Sequence, residues 1–297
     1  MAIRFGVNPI VWSNDDLRTL GGETPLETCL SEARQAGYDG IELGHKFPRQ
    51  AAELKPILDA HGLALVSGWY SGNLLERTAA DEIEAMRPHF ELLQALGCQV
   101  LIFAETTSAV HGDVAMPLSR RPRFDDRIWP VMGERMTQVG DWLQRQGMRL
   151  AYHHHMGTVV QTEDEVDRLM TMTGESVGLL LDTGHLAYAG GDPLAVARRW
   201  ASRIAHVHLK DVRRRVLGEM NASDAPFLRA VPGGVFTVPG DGDIDYPPIF
   251  EALAGADYGG WLVVEAEQDP ERAHPFTYAR KGYQNSVAYA RGAGLLS

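Results

Sequence analysis

Short apolar runs alternate with longer amphipathic stretches along the whole chain. The runs are Ile3–Pro9, Gly40–Leu43, Ala64–Gly68, Val100–Ala104, Arg149–His153, Val177–Leu181, Ile204–Leu209 and Trp261–Glu265. Near-continuous apolar character over so few residues is the pattern of a strand buried on both faces. The stretches between them have helical length. Thr24–Ala36 opens on Thr24-Pro25, which predicts an N-cap followed by proline at the first helical position. In Glu82–Leu96 the apolar residues Ile83, Met86, Phe90, Leu93 and Leu96 fall at spacings of three and four. Asp126–Gln146, Glu163–Met172, Pro193–Ala201, Pro247–Leu253 and Pro270–Ala290 complete the expected helices. Gly37, Gly62, Gly97 and Gly147 each stand just before a strand, where a left-handed helix cap belongs.

Serial β-then-α units imply a parallel sheet, and eight of them suffice to close it. The expected fold is α/β, a single (β/α)8 TIM barrel occupying residues 1–297 as one domain. An open doubly wound sheet would place a glycine-rich phosphate turn after its first strand. Here Asn8-Pro9-Ile10-Val11-Trp12 follows instead. Two connections, Glu105–Arg123 and Asp211–Asp241, are long for βα loops. Both follow a strand, so both should lie over the mouth of the barrel.

Composition narrows the partners. The formal net charge of −11 argues against nucleic acid, and Arg213–Arg215 is too short a basic cluster to change that. No apolar run approaches the ~20 residues of a membrane span, and no export signal is visible at the start of the sequence. Cys29 and Cys98 alone make no disulfide framework. A cytoplasmic protein acting on a small polyol ketone is the expectation, with assembly into a homo-oligomer left open.

Polar groups at the C-terminal ends of barrel strands point into the active site. The fifth run ends Tyr152-His153-His154-His155, the sixth continues Asp182-Thr183-Gly184-His185, the seventh reads His206-Val207-His208-Leu209-Lys210-Asp211, and the eighth ends Glu265-Ala266-Glu267. Strand alternation puts His153 and His155 on one face and His154 on the other. Four successive strands thus bring His, Asp, His and Glu to one rim. Mixed imidazole and carboxylate donors suit a divalent ion, with Mn or Co favoured over a structural zinc. Each group also has a plainer use: Asp182 as a helix cap, His206 as a core histidine, Glu267 as a solvated carboxylate. What the plainer uses leave unexplained is the coincidence on four consecutive strands.

Earlier strands add groups suited to a polyol. Asn8 follows the first, Glu42 and Lys46 mark the second, Trp69 and Tyr70 the third, and Glu105 the fourth. Aromatic faces beside donors and acceptors suit a hydroxylated ring, although Trp12, Trp69 and Tyr70 would also serve as core and Glu42 could simply pair with Lys46. The candidates for proton transfer are His153, His155, Glu265 and Glu105. Those for substrate binding are Asn8, Lys46, Trp69, His185, Lys210 and Arg214.

On these residues the chain resembles the xylose isomerase-like TIM barrel superfamily and, within it, the inosose dehydratases. The resemblance runs from residue 3 to about 285. It is carried by Gly6–Ile10, Trp12–Asp16, Glu42-Leu43-Gly44, Lys46-Phe47-Pro48, Val66–Tyr70, Tyr152–Thr158, Asp182–His185, His206–Asp211, Phe236–Gly242 and Glu265–Pro270. The triple histidine and Phe236–Gly242 are the more specific segments; Asp182 and His208 mark the wider superfamily. The resemblance implies metal binding by His153, Asp182, His208 and Glu265, with His153 where the sugar epimerases carry glutamate. It implies removal of water from 2-keto-myo-inositol (scyllo-inosose), giving a trihydroxycyclohexane-1,2-dione in inositol catabolism. Mn or Co is the implied ion. Glutathione is associated with the activity by resemblance alone, and no motif here marks a site for it. The rival activities on such a barrel are a ketose isomerase or epimerase, a repair nuclease and a non-catalytic sugar-binding protein.

Overall fold

A computed structural model describes residues 2–296. In chain order the strands are β1 (Arg4–Val7), β2 (Gly40–Leu43), β3 (Ala64–Gly72), β4 (Val100–Glu105), β5 (Arg149–His153), β6 (Val177–Asp182), β7 (Ile204–Leu209), β8 (Asp211–Val212), β9 (Phe236–Thr237) and β10 (Trp261–Val264). All but β8 and β9 form a closed barrel in the order β1-β10-β7-β6-β5-β4-β3-β2. Neighbouring barrel strands pair in parallel, so every strand ends at the same rim. The helices are α1 (Leu26–Ala36), α2 (Ala51–His61), α3 (Ala79–Ala95), α4 (Ile128–Arg145), α5 (Glu163–Met172), α6 (Thr183–Tyr188), α7 (Pro193–Arg199), α8 (Arg214–Ala222), α9 (Phe227–Ala230), α10 (Pro247–Gly255) and α11 (Pro275–Gly292). None of the described helices is long and apolar enough to cross a membrane.

The strands are apolar on both faces because each face has a core. Outward residues such as Leu101, Phe103, Leu150, Tyr152, Leu179, Leu181, Val207 and Leu209 pack under the helices in one large cluster. Inward residues fill the barrel in small groups: Val100, Ile102, Ala151 and Leu180 in one, Val66, Trp261 and Val263 in another. Those inner groups form the floor below the mouth. Gly40 is confined by this packing, since a Cβ there would lie 2.7 Å from both Trp261 and Val66.

Helix ends follow local chemistry. Gly37, Gly62, Gly97 and Gly147 all have positive φ, the left-handed caps expected of them. Thr162 and Glu165 form a reciprocal capping box on α5. α1 corrects one expectation: it starts at Leu26, with Pro25 itself as the extended N-cap and no side-chain cap bond. The Pro25 carbonyl accepts from Thr28 and Cys29, so the helix is nucleated one residue later than the Thr-Pro signal suggests. α11 likewise starts at Pro275 and not at Pro270. A residue before proline avoids helical backbone, and the Asp269 carbonyl first closes a turn on Arg272 and Ala273. Helices α2, α6, α8 and α9 lie outside the expected set. Pro56 sits inside α2 and only Leu54 and Leu58 are buried there, which leaves little periodicity to read.

The two long connections meet. Pro117 and Pro226 form an isolated bridge, and Ser119 donates to the Asp224 carboxylate from its N–H (3.1 Å) and its hydroxyl (2.5 Å). The second connection carries α8, α9 and the small β8–β9 sheet. The Asp211 carboxylate gathers the N–H groups of Gly240, Gly242 and Ile244 and ties that excursion to the end of β7.

Candidate metal centre and active site

Strand alternation sets the inner end of the site. His153, Asp182, His208 and Glu265 are buried, and one ligand atom from each lies within 4.8 Å of the others. Nδ1–H of His153 donates to its neighbour's carbonyl, His154 O, at 2.6 Å. This leaves Nε2 facing Asp182 Oδ2 at 3.7 Å. On His208, Nε2 is engaged by Glu42, and Nδ1 faces Glu265 Oε2 at 2.5 Å and Asp182 Oδ2 at 3.6 Å. Asp182 does two jobs. Its Oδ1 accepts from His185 N–H at 2.7 Å, capping α6, while Oδ2 is buried with no hydrogen-bond partner. Two imidazole nitrogens and two carboxylates converging on an orphaned carboxylate oxygen fit a divalent ion of the borderline or oxygen-preferring type.

Two other groupings are geometrically close, and neither fits an ion as well. Glu42, His206 and His208 are already satisfied: Glu42 Oε1 accepts from both Nε2–H groups, at 2.8 and 3.1 Å. His155, His185 and Glu267 surround a resident cation. Lys210 Nζ lies 2.8 Å from His185 Nε2, 2.7 Å from Glu267 and 2.5 Å from Glu265. Burial works against its charge, but Glu265, Glu267 and Asp182 outweigh burial and hold it raised and protonated.

The ring nitrogens around the cavity divide into roles. His155 donates Nδ1–H to Met156 O at 2.8 Å, which leaves its Nε2 lone pair free. Burial, and then the neighbouring imidazoles of His111 and His153, hold His155 well below its ordinary range, so it is neutral. Its ring and that of His185 lie 3.9 Å apart by centroid and pack against Phe227. Phe236 adds a second wall, with Lys210 Nζ 4.8 Å over its ring. Burial pushes Glu267 up to about 7, with Lys210 opposing and Glu265 reinforcing the shift. Trp69 covers the other side, edge-on to His153 and His155 at 5.2 and 5.4 Å.

His153, His155, His208 and Trp69 open into one cavity of about 240 Å³, which Asn8, Glu42, His111, Glu265 and Glu267 also line. That is below the roughly 300–1,000 Å³ of drug-sized sites and suits one small ring. Its outer rim carries Asp15, Asp16, Arg18, His45 and Arg49 from the loops after β1 and β2.

Several expected residues stand elsewhere. Glu105 is on the opposite face of β4 from Ile102, under the helices, where it accepts from Leu74 N–H (2.7 Å) and Thr107 N–H (2.9 Å). Its position corrects the catalytic reading: the inward residues of β4 are Val100, Ile102 and Ala104, and Glu105 shares the outward face of Leu101 and Phe103. Lys46 turns away after Gly44 and donates to Gly22 O at 2.5 Å. Arg214 is exposed at the start of α8, away from the cavity, because the loop turns into a helix there and its N–H is taken by Asp243. Asn8 lines the cavity, but its amide donates to Glu42 (2.8 Å) and more weakly to Glu265 (3.3 Å). Trp69 lines the cavity, whereas His185 and Lys210 are fully buried and stand behind its lining, Lys210 against Glu265 and Glu267. Glu42, one of the groups suited to a polyol, lines the cavity, and Glu267 and His111 join it beyond the sequence expectation. The two-residue step from Glu265 was a visible signal for Glu267; nothing in the sequence marks His111, which arrives on the long loop after β4.

The profile of the xylose isomerase-like TIM barrel family matches residues 30–291 of this chain. The chain is 53% identical over 295 residues to a rhizopine catabolism protein of Rhizobium meliloti, covering 99% of this chain and 91% of that protein. It is 44% identical over 284 residues to an inosose dehydratase of Geobacillus thermodenitrificans, covering 95% of each. The crystal structure of the IOLI protein with a bound zinc atom superposes with a TM-score of 0.64 at 18% identity, over 99% of each chain, a likeness of fold.

Proposed function

The chain belongs to the xylose isomerase-like TIM barrel family, and from that premise we propose that it is a hydro-lyase that dehydrates 2-keto-myo-inositol in inositol catabolism. The observation that carries this reading is one cavity in which a buried four-ligand cluster adjoins a neutral histidine with a free ring nitrogen. It stands in a chain 44% identical to an inosose dehydratase. A divalent ion held by His153, Asp182, His208 and Glu265, with Mn or Co our choice, would stabilise negative charge developing on the substrate's ketone oxygen.

His155 is the base: neutral, with Nδ1–H held by Met156 O, it takes the α proton on Nε2. The electron pair of that C–H bond becomes a C=C bond as the β C–O bond breaks. Glu267 is placed to return a proton to the departing hydroxyl, which leaves as water. Lys210 holds Glu265 and Glu267 in register through one ammonium. Trp69 offers its face to the ring C–H groups, and Phe227 and Phe236 keep water from the imidazoles. Each proton-transfer group contributes roughly 10²–10⁴-fold. His153 counts against the epimerase alternative, since a ligating imidazole has spent its lone pair and cannot return a proton. The reaction is placed in the cytoplasm, as part of the same proposal.

The test is incubation of the protein with 2-keto-myo-inositol and Mn(II), followed by mass spectrometry. The expected product is lighter by one water. An isomer of unchanged mass, or complete recovery of substrate by metal-loaded protein, overturns the reading.

A further inference from the structure

Glu42 is on β2, across the barrel from β7, and is only 2% exposed. A carboxylate this deep is expensive unless its lone pairs are filled, and here they are. Oε1 accepts from Ser67 hydroxyl (2.7 Å), His206 Nε2–H (2.8 Å) and His208 Nε2–H (3.1 Å), and Oε2 accepts from Asn8 (2.8 Å). None of these partners is a lysine or arginine. The residue therefore does not serve a strand-end ion pair with Lys46, whose ammonium is bound to Gly22 O.

The consequence falls on His208. An imidazole that donates from Nε2 presents its lone pair from Nδ1, and Nδ1 is the atom that faces Asp182 and Glu265. Ligating histidines generally depend on such a carboxylate partner for ring orientation and tautomer. The second contact of Asn8, with Glu265 Oε2, extends the same scaffold to a further ligand. His206, buried and bonded only through Nε2, braces Glu42 from the floor side, next to a cavity it lines with Arg4, Arg149 and Trp261.

We infer that Glu42 is the positioning residue of the metal centre: it fixes His208 with Nδ1 toward the ion, and through Asn8 it orients Glu265. The inference rests on the metal reading above and extends it to a residue on the far wall of the barrel. Glu42 touches neither the reacting atoms nor the ion in this role.

The experiment compares wild type, Glu42→Gln and Ser67→Ala. Mn(II) affinity is measured by competition with a chelator, and exchange of the ring N–H protons of metal-bound histidines is measured by NMR of the Co(II)-loaded proteins. Glutamine is nearly isosteric but lacks the charge and opposes a donor to Asn8. It should weaken Mn(II) binding roughly 10–100-fold and speed exchange of the His208 Nε2–H, while far-UV circular dichroism of the metal-free protein is unchanged. Ser67→Ala removes one hydroxyl from the same oxygen and should weaken binding severalfold; it carries the test if Glu42→Gln does not fold. Folded Glu42→Gln, or failing that folded Ser67→Ala, with wild-type affinity and wild-type N–H exchange overturns the inference and leaves the metal reading standing. A wild-type protein that binds no Mn(II) overturns both.

Discussion

The mouth of the barrel holds two tiers of the same kind of group, and they differ in what completes them. The inner tier is His153, Asp182, His208 and Glu265. The outer tier is His155, His185, Lys210 and Glu267. At the ends of β5, β7 and β10 the step from one tier to the next is two residues, so the outer tier follows the inner one off the same three strands. Each tier keeps one carboxylate oxygen without a hydrogen-bond partner, Asp182 Oδ2 in the inner and Glu267 Oε2 in the outer. The inner tier has a histidine at its β7 position. The outer tier has Lys210 there, an ammonium in contact with both Glu267 and His185. One tier is therefore short of a cation and the other carries its own. A cluster of imidazoles and carboxylates is not in itself a metal site; what stands in the middle decides.

The sharpest way to break this contrast is to damage the inner tier. His208→Ala, or Asp182→Asn, which keeps the helix cap but replaces the orphaned oxygen, should remove bound metal and lower turnover by roughly 10³-fold or more, the worth of several kcal/mol. Metal analysis and the water-loss assay check both halves. Stoichiometric metal with full turnover in either variant would place the ion elsewhere.

The converse change should make the tiers alike. Lys210→Met removes the resident ammonium from among His155, His185 and Glu267. Turnover should drop by roughly 10²–10⁴-fold, and zinc titration should reveal a second equivalent that the native protein lacks. A variant still limited to one equivalent would mean that the outer tier fails as a ligand set for reasons other than Lys210.

A third experiment sharpens the role of the lone imidazole in each tier. With the proposed ion in place, His153 would be spent as a ligand and His155 left free, so proton return to the opposite face of the ring would have no second base. In deuterated water the enzyme should give dehydrated product with little deuterated epimer. Deuterated epimer forming faster than water is lost would contradict the assignment of both histidines.

The mildest prediction uses a carboxylate outside both tiers. Burial pushes Glu105 up to about 7 from its ordinary 4.5, against the two backbone N–H groups it accepts. The unfolded chain then loses its proton first as pH rises. Glu105's favourable contribution is complete below 4.5 and is lost progressively up to about 7. Glu105→Gln should flatten that part of the stability profile and cost about 1–3 kcal/mol by leaving one N–H without its acceptor. Turnover per folded molecule should be unchanged, as chemical denaturation and the assay together will show.

The same contrast explains what could be read from the sequence. All barrel strands were visible because both faces of a parallel strand are apolar. The inner tier was visible because polar residues interrupt those runs on one parity. Glu105 was misplaced because Val100–Ala104 is apolar on both parities, so the sequence does not say which face looks inward; pairing of Ile102 with Ala151 settles it. Pairing of Glu42 with Lys46, the plainer alternative to a substrate contact, is suggested only by their closeness in sequence, whereas its partners His206 and His208 lie 164 and 166 residues away, brought near only by closure of the barrel. Arg214 and Lys46 follow strands, but the turns that come first carry them out of the cavity. Position after a strand predicts a place at the rim; it does not predict direction.

Glycine at position 184 has a bearing on how such a site can change. It sits in the first turn of α6, and a Cβ there would lie 2.5 Å from Lys210 Cγ and 2.7 Å from its Cβ. The two positions share one volume. A lineage that kept its lysine could not enlarge residue 184, and one that enlarged residue 184 would first have to give up the long stem at 210. The constraint runs one way: the side chain at 210 can be shortened while Gly184 stays, but residue 184 cannot grow until the stem at 210 has gone.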